Sequence, residues 1–204
     1  MYNLSKHEIK EKYNKLAKYY NFLEFPLEFL IIGRLRKNLL KHASGKVLEI
    51  GIGTGKSLSH YNKNCEITGV DFSENMLENA KKLIKNNKKV KLLNLDVENM
   101  PFKDKSFDVI VDNLGLCTYK NPVKVLKELK RCTKKDGKIL LLEHGISNIK
   151  FIRNWQIKIE TKHYQKVGCS LIRDHEILAR KSGLKIINLK KSLFGIMYSI
   201  IAKP

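Results

Sequence analysis

Short continuous apolar runs alternate with amphipathic stretches over most of the chain. Runs of five to eight residues that are apolar at nearly every position are typical of strands buried on both faces of a parallel sheet. Five runs have this character: KVLEIG (46–51), EITGVD (66–71), VKLLNLD (90–96), FDVIVDN (107–113) and KILLLEHG (138–145). Two more apolar runs, LKIINLK and GIMYSIIAK, end the chain and are close enough to pair antiparallel.

The stretches between these runs place apolar residues at helical spacing. Ser73 is the predicted N-cap of one helix, and Gly137 is expected to close the turn after another. The predicted helices span about 5–20, 26–42, 54–62, 73–86, 121–135 and 173–183. Strands that alternate with helices predict an α/β fold, with a mostly parallel seven-stranded sheet, helices on both faces and an antiparallel last strand.

The segment VLEIGIGTGKS (47–57) joins the first strand to the next helix through closely spaced glycines. A nucleotide-triphosphate P-loop would need glycine at position 50, which is Ile50. The dinucleotide pattern G-x-G-x-x-G also fails, because its third position is Lys56. Asp71, however, ends the second strand 20 residues after Gly51, where an acid binds ribose hydroxyls. The segment therefore predicts an adenosine-like ligand held by its ribose.

Charge and cysteine content limit the partners, the redox environment and the membrane association that this domain can have. The chain has 204 residues, and 40 basic against 20 acidic residues give a formal charge of +20. Such a charge suits nucleic acid or an anionic membrane, but lysines spread over helix surfaces would give the same total. The four cysteines form no C-x-x-C pair and have no histidine at metal-ligand spacing, so we expect neither a disulfide nor a bound metal. The polar N-terminus predicts no signal peptide, and no apolar run is long enough to span a membrane.

Four segments together resemble class I S-adenosylmethionine-dependent methyltransferases. They are VLEIGIGTGKSL, GVDFSENML, LLNLDVENMPFKDKSFDVIVDNLGLC and VLKELKRCTKKDGKILLLEH. The resemblance covers about residues 10–145. Within the class, the chain is similar to the group of quinone-ring, phosphatidylethanolamine and methyltransferase-like thiol methyltransferases. It implies a Rossmann-like single domain, 1–204, with a helical lid (1–42), a cofactor-binding core (43–145), and an acceptor cap with the C-terminal strands (146–204).

The same resemblance assigns cofactor contacts to the residues that follow the strands. S-adenosylmethionine would be the cofactor, and we expect no resident metal. The methionine part of the cofactor would contact Glu49, Gly51, Gly53 and Gly55, and the ribose would contact Asp71. The adenine would contact Phe72, Met76, Asp96 and Val97. The sulfonium would lie beside Asn113 and Leu114. Glu49, Asp71 and Asp96 could also be ordinary cap or turn residues.

Methyl transfer needs an aligned acceptor and, for a phenol or carbon acid, a base. His144, at the end of the fifth strand, is the candidate base, with an ordinary turn histidine as the alternative. Tyr13 and Tyr20 would close the site, and Tyr20 is counted with His144 as a catalytic candidate. The stretch 146–170 is expected to line the acceptor pocket, with His163, Tyr164, Cys169 and Arg173 unranked.

The acceptor is less determined than the cofactor. The segment 19–42 mixes apolar residues with a basic end, as an amphipathic helix on an anionic membrane does, although packing on the sheet would also explain it. A lipidic acceptor, either a phospholipid headgroup amine or a quinone, is therefore the first candidate. A small thiol, RNA and cofactor binding without catalysis remain open. We expect a cytoplasmic protein, either soluble or peripheral at the inner membrane surface, without an obligate protein partner.

Overall fold

The computed structural model describes residues 4–19, 31–84 and 87–204. Its strands form one sheet of seven, in the order β3-β2-β1-β4-β5-β7-β6. Every strand runs parallel to the others except β7, which is antiparallel to both β5 and β6. The strands are β1 Lys46–Ile50, β2 Glu66–Asp71, β3 Val90–Asn94, β4 Phe107–Asn113, β5 Thr133–His144, β6 Lys185–Ser192 and β7 Met197–Lys203. The predicted fold class is confirmed.

Helices precede, connect and follow these strands. In α1, the side chains of Ser5 and Glu8 cap each other's backbone, and in α4 the Asn121 side chain accepts from the Lys124 backbone N–H. The helices of the described residues are α1 Lys6–Leu16, α2 Gly33–Leu40, α3 Glu74–Ile84, α4 Pro122–Cys132, α5 Lys150–Val167 and α6 His175–Lys181. None of them is both long and apolar enough to cross a membrane.

Alternate strand residues face two separate apolar cores, one on each side of the sheet. On one side, Val47, Val109 and Leu140 belong to a cluster with Leu39 and Leu40 of α2. On the other side, Leu48, Ile110 and Leu141 belong to a cluster with Leu126 and Leu129 of α4 and with Ala179 of α6. These clusters place helices on both faces, as the apolar runs predicted.

Two details of the predicted connections were wrong. The helix expected at about 54–62 is a series of turns with a short 3₁₀ helix, Leu58–His60, because Gly53 and Gly55 have positive φ values that a right-handed helix does not allow. Gly137 does not close a turn after a helix. It lies inside β5, which begins directly after α4, and a Cβ there would lie 2.7 Å from the Asp108 carbonyl oxygen.

The stretch 146–170 contains α5, which the apolar pattern did not predict. The side chains that α5 buries are Gln156, Glu160 and Tyr164, one in each turn at a spacing of four residues. A helix whose buried face is polar has no apolar periodicity to detect. The predicted helix 26–42 appears as α2 within its described part, whereas residues 20–30 of the proposed membrane segment, Tyr20 among them, lie outside the described residues.

Strand order reverses between β1 and β4, which lie side by side at the centre of the sheet while their connections run to opposite edges. In open α/β sheets, ligands bind in the crevice outside the carboxyl ends of the strands at such a point. The fold therefore predicts a ligand site among the loops after β1, β2, β3 and β4.

Candidate functional site

A cavity of about 340 Å³ opens at this edge of the sheet. Its floor is the loops after β1 to β4, and its cover is α1. The predicted cofactor residues that line it are Gly51, Gly53, Asp71, Phe72, Met76, Asp96, Val97, Asn113 and Leu114. The α1 residues that line it are Lys6, His7, Ile9, Lys10 and Tyr13. Nine of the eleven residues predicted to contact the cofactor thus surround one cavity.

The glycine turn after β1 brings backbone close to this cavity. Gly51 and Gly53 have φ values of 59° and 56°, a conformation that favours glycine. A Cβ on Gly51 would lie 2.7 Å from the Tyr119 hydroxyl oxygen. Gly55 does not line the cavity; a Cβ there would lie 2.9 Å from Leu58 and 3.2 Å from Ala80 of α3. The third glycine therefore serves the packing of the turn against α3.

Asp71, at the end of β2, links two backbone segments of the site. Its Oδ2 accepts from the Gly53 N–H at 2.8 Å, and its Oδ1 accepts from the Ser73 N–H at 2.9 Å. Burial raises the pKa of Asp71 to about 6, although the backbone hydrogen bonds oppose this shift. The carboxylate is held in a fixed orientation beside the glycine turn, with its remaining acceptor positions available to the cavity.

Glu49, on β1, is buried next to a smaller pocket that also contacts Gly51, Gly53 and Asn113. Its carboxylate accepts from the Ser57 hydroxyl at 2.7 Å, the Tyr61 hydroxyl at 2.9 Å and the Asn113 side-chain amide at 2.9 Å. Burial raises the pKa of Glu49, and these hydrogen bonds lower it. Glu49 therefore ties the end of β1 to the end of β4 and does not line the large cavity.

The loop after β3 is joined to α1 by ion pairs. Lys6 Nζ lies 2.7 Å from Asp96 Oδ2 and 2.9 Å from Glu98 Oε2. A second pair joins Lys10 to Glu74 at 2.8 Å. Asp96 is half exposed, whereas Val97 beside it is buried. These contacts hold α1 over the cavity without a large apolar interface.

The turn after β4 departs from ordinary backbone geometry. Leu114 has a φ of 61°, which is rare for a residue with a branched side chain and tends to mark functional turns. Its N–H donates to the Leu142 carbonyl at 2.8 Å. Leu114 and Gly115 are thereby directed into the cavity beside Asn113.

The structure adds buried acids that the sequence interpretation missed. Asp112 of β4 and Glu143 of β5 are fully buried, and burial together with nearby carboxylates raises the pKa of both well above ordinary values. Within the described chain, both Asp112 oxygens and Glu143 Oε2 have no hydrogen-bond partner. The signal was visible as a single acid inside each of the apolar runs VIVDN and LLLEH. The hydroxyl of Tyr119, which also lines the cavity, is buried beside Asp112.

His144 is not brought to the cavity with the other predicted residues. Its Nε2 lies 3.0 Å from Cys169 Sγ, on the side of β5 that faces the turn after α5. The proposed base therefore contacts a thiol, and its role in proton transfer stays a prediction.

Comparisons with known proteins agree with this geometry. A methyltransferase domain family matches residues 48–141. The mitochondrial methyltransferase OMS1 of Saccharomyces cerevisiae is 31% identical over 95% of this chain and 45% of its own length. Demethylmenaquinone methyltransferase of Staphylococcus aureus is 33% identical over 66% of this chain and 56% of its own. The chain thus spans about half the length of the curated relatives it matches.

Solved structures share the fold at low sequence identity. A chain from the Haloferax volcanii complex of the Trm112 activator with a methyltransferase superposes with a TM-score of 0.75 at 16% identity, covering 94% of this chain and 97% of the other. An S-adenosylmethionine-dependent methyltransferase of Aquifex aeolicus gives 0.63 at 16% identity, covering 95% and 97%. These structural matches show a shared fold, and the family match identifies residues 48–141 as a methyltransferase domain.

Proposed function

We propose that this methyltransferase acts on a lipidic acceptor, a quinone or a phospholipid headgroup, at the surface of an anionic membrane. The observation that carries the proposal is the exposed face of α5, which is apolar and cationic and contains no exposed acid. The Staphylococcus aureus relative, by its name, methylates demethylmenaquinone, which supports the quinone over the headgroup.

The residues around the cavity fit S-adenosylmethionine. Gly51 lines the cavity, and the absence of a Cβ there leaves room for the Tyr119 hydroxyl, which a Cβ would approach to 2.7 Å. Asp112 and Glu143 do not line the cavity, but a cationic ligand bound near the turn after β4 would favour their ionised forms. Asp71 would accept from the ribose hydroxyls, while Phe72, Met76 and Val97 would enclose the adenine beside Asp96. Asn113 and Leu114 would lie next to the sulfonium.

S-adenosylmethionine, when bound, would supply a methyl group on a positively charged sulfur. S-adenosylhomocysteine would be the leaving group, and the proton of the acceptor would pass to solvent. The protein's task is to align the acceptor with the sulfur–methyl bond and exclude water. α1 covers the cavity for this purpose, and Tyr13 on its inner face lines it. His144 receives no proton-transfer step in this proposal, because its ring contacts Cys169.

The exposed face of α5 is suited to lipid. Phe151 and Trp155 are 83% and 55% exposed and lie one turn apart on the same side. Phe194, in the β6–β7 turn, is 66% exposed, and its carbonyl accepts from the Ser147 hydroxyl next to the start of α5. Both Leu193 and Phe194 have positive φ, a strained conformation that keeps the Phe194 ring at the surface.

The charged side chains of α5 also favour contact with an anionic membrane. Lys158 and Lys162 continue the exposed stripe, and the single acid of the helix, Glu160, is buried and accepts from the Leu171 N–H at 2.8 Å. Aromatic side chains flanked by lysines bind the headgroup region of anionic bilayers, with each lysine near the surface contributing roughly 1 kcal/mol. We therefore propose α5 as a membrane contact; the membrane role suggested for 19–42 stays a prediction, since residues 20–30 lie outside the described residues.

The test combines binding and label transfer. We would measure sedimentation with phosphatidylglycerol vesicles containing a demethylated quinone, and follow the methyl group from labelled S-adenosylmethionine into lipid. The double variant Phe151→Ser/Trp155→Ser should lose vesicle binding and lipid labelling while keeping its affinity for S-adenosylhomocysteine. Leu83→Ser, which alters an equally exposed apolar residue on α3, should change neither.

Two results would contradict the proposal. Label that enters RNA or a small thiol with no lipid product would assign a different acceptor class. Equal vesicle binding by both variants would remove α5 from the membrane contact. The Haloferax neighbour was solved with an activator protein, so label transfer that needs an added protein partner would favour a heteromeric enzyme instead.

A further inference from the structure

Two thiols and an imidazole from three distant segments meet beside the cavity. Cys117 lies in the turn after β4, His144 ends β5, and Cys169 follows α5. Their ligand atoms all lie within 4.8 Å of one another. We propose that these three residues bind a thiophilic divalent metal ion, with Zn²⁺ as the ion that this ligand set suits best. The proposal is independent of the acceptor proposed above.

The geometry is compatible with tetrahedral coordination. Zn²⁺ binds sulfur at about 2.3 Å and imidazole nitrogen at about 2.0–2.1 Å, which separates neighbouring ligand atoms by roughly 3.6–3.8 Å. His144 Nε2 and Cys169 Sγ are 3.0 Å apart, and all ligand separations are below 4.8 Å.

The surrounding structure fixes the three ligands. The Ser170 N–H donates to the Cys117 carbonyl at 3.0 Å, which joins the two cysteine-bearing turns. Gly168, with a φ of 80°, ends α5 and turns the chain so that Cys169 faces β5. His175 Nε2 lies 2.8 Å from the His144 carbonyl oxygen. Both cysteines are buried, so the thiols are shielded from bulk water while remaining next to each other.

Three protein ligands leave one coordination position for water or an exogenous ligand, as in zinc sites that are not purely structural. The site also adjoins the cavity, because Cys117 Sγ contacts the Leu114 carbonyl at 3.4 Å and Leu114 lines the cavity wall. A bound ion would join the turn after β4 to the cap and limit its movement. We therefore expect the ion to stabilise the folded chain, because it binds the native state in preference to the unfolded one.

The sequence prediction of no metal rested on local spacing. Cys117, His144 and Cys169 are separated by more than twenty residues each, so no short motif connects them. Buried cysteines also pack as small apolar residues in many proteins. What distinguishes this pair is the histidine between them, since Cys132, which is equally buried, lies in the apolar core with Leu126 and Leu129.

The test is metal binding by the reduced full chain. After chelation and removal of the chelator, we would titrate the protein with Co²⁺ and then displace the cobalt with Zn²⁺. We expect one equivalent of cobalt, with a thiolate-to-cobalt charge-transfer absorption band that zinc abolishes. Cys117→Ser and Cys169→Ser should each weaken binding at least tenfold, and Cys132→Ser should leave it unchanged. His144→Gln keeps both thiols and should retain a charge-transfer band with weaker binding.

Circular dichroism would confirm that each variant is folded, and cofactor affinity is measured separately so that loss of methyl transfer is not confused with loss of metal. Absence of the charge-transfer band in the reduced wild-type protein would overturn the proposal. So would equal binding by the Cys117 and Cys132 variants. A Cys117–Cys169 disulfide that forms in air, with no metal taken up after reduction, would also overturn it and identify a redox pair.

Discussion

Neighbouring groups fix the orientation and shift the pKa of individual side chains at this site. Asp71 is the clearest case, because two backbone N–H groups from different turns hold its carboxylate. Burial raises its pKa from 3.8 to about 6. The folded chain therefore takes up a proton between these values, and Asp71 lowers stability as the pH rises through this window. A ligand that donates hydrogen bonds to the ionised form reverses this preference.

From this we predict that affinity for S-adenosylhomocysteine falls as the pH is lowered below about 6, the pKa of Asp71 in the folded chain. The ionised carboxylate would accept the hydrogen bonds of the ribose hydroxyls, and the protonated acid would accept them less well. Isothermal titration calorimetry between pH 5 and 7.5 would measure this. Asp71→Asn should bind roughly 10- to 100-fold more weakly, because hydrogen bonds to charged groups are worth about 1.5–3 kcal/mol.

The same substitution should also flatten the pH dependence between pH 5 and 7.5. Asp136→Asn, at an exposed position in β5, serves as the control and should keep the wild-type profile. An unchanged profile in the Asp71 variant would assign the titration to another carboxylate.

At the level of elements, α1 differs from the helices on the sheet. Its contacts with the rest of the chain are largely polar: Lys6 with Asp96 and Glu98, Lys10 with Glu74, and Asn14 with the Ser73 hydroxyl at 2.7 Å. Ile9 is buried against the turn at Gly168. An element held mainly by polar contacts, only some of them exposed, opens at lower cost than one packed in an apolar core. We therefore infer that α1 opens to admit and release the cofactor.

We predict that Lys6→Ala/Lys10→Ala speeds dissociation of S-adenosylhomocysteine by about 2- to 10-fold, since exposed ion pairs contribute about 0.2–1 kcal/mol each. Stopped-flow displacement would measure the rate. The difference from wild type should shrink at high salt, which screens exposed pairs. Lys15→Ala, an exposed lysine on the same helix, should dissociate at the wild-type rate. An equal increase of the dissociation rate in the Lys15 variant would mean that the net charge of α1, and not its ion pairs, sets the rate at which the ligand leaves.

For the whole molecule, the charge distribution is divided between surface and cavity. The chain carries +20 overall, yet Glu49, Asp71, Asp112 and Glu143 are buried around the site. The pKa of each is raised, with burial as the first cause. Carboxyls in such an environment hold protons that a cationic ligand would displace. The basic residues thus lie mostly at the surface, where they suit the anionic membrane proposed above, whereas the buried carboxyls lie near the site proposed for the cationic cofactor.

We predict that binding of S-adenosylmethionine releases more protons than binding of S-adenosylhomocysteine, because the sulfonium charge favours ionised carboxylates and the neutral thioether does not. Calorimetry near pH 7 in buffers of different ionisation enthalpy would count the protons. Glu143→Gln should reduce the difference between the two ligands. Equal proton release by both ligands would show that these carboxyls do not respond to the sulfonium.

The sequence by itself determined the order of the strands along the chain, the mostly parallel sheet and the glycine turn beside the cavity. These follow from local causes: apolar runs specify buried strands, glycines permit positive φ at 51 and 53, and Asp71 ends β2. Nine residues predicted from those motifs line one cavity, because strand ends of a parallel sheet meet at one edge.

Only the tertiary structure decided the features that depend on residues far apart in the chain. α5 escaped prediction because it buries polar side chains, and its exposed aromatic residues are evident only once its inner face is known. The convergence of Cys117, His144 and Cys169 arises from the pairing of β4 with β5 and from the return of the chain after α5. Local spacing cannot encode a contact whose partners are brought together by the fold.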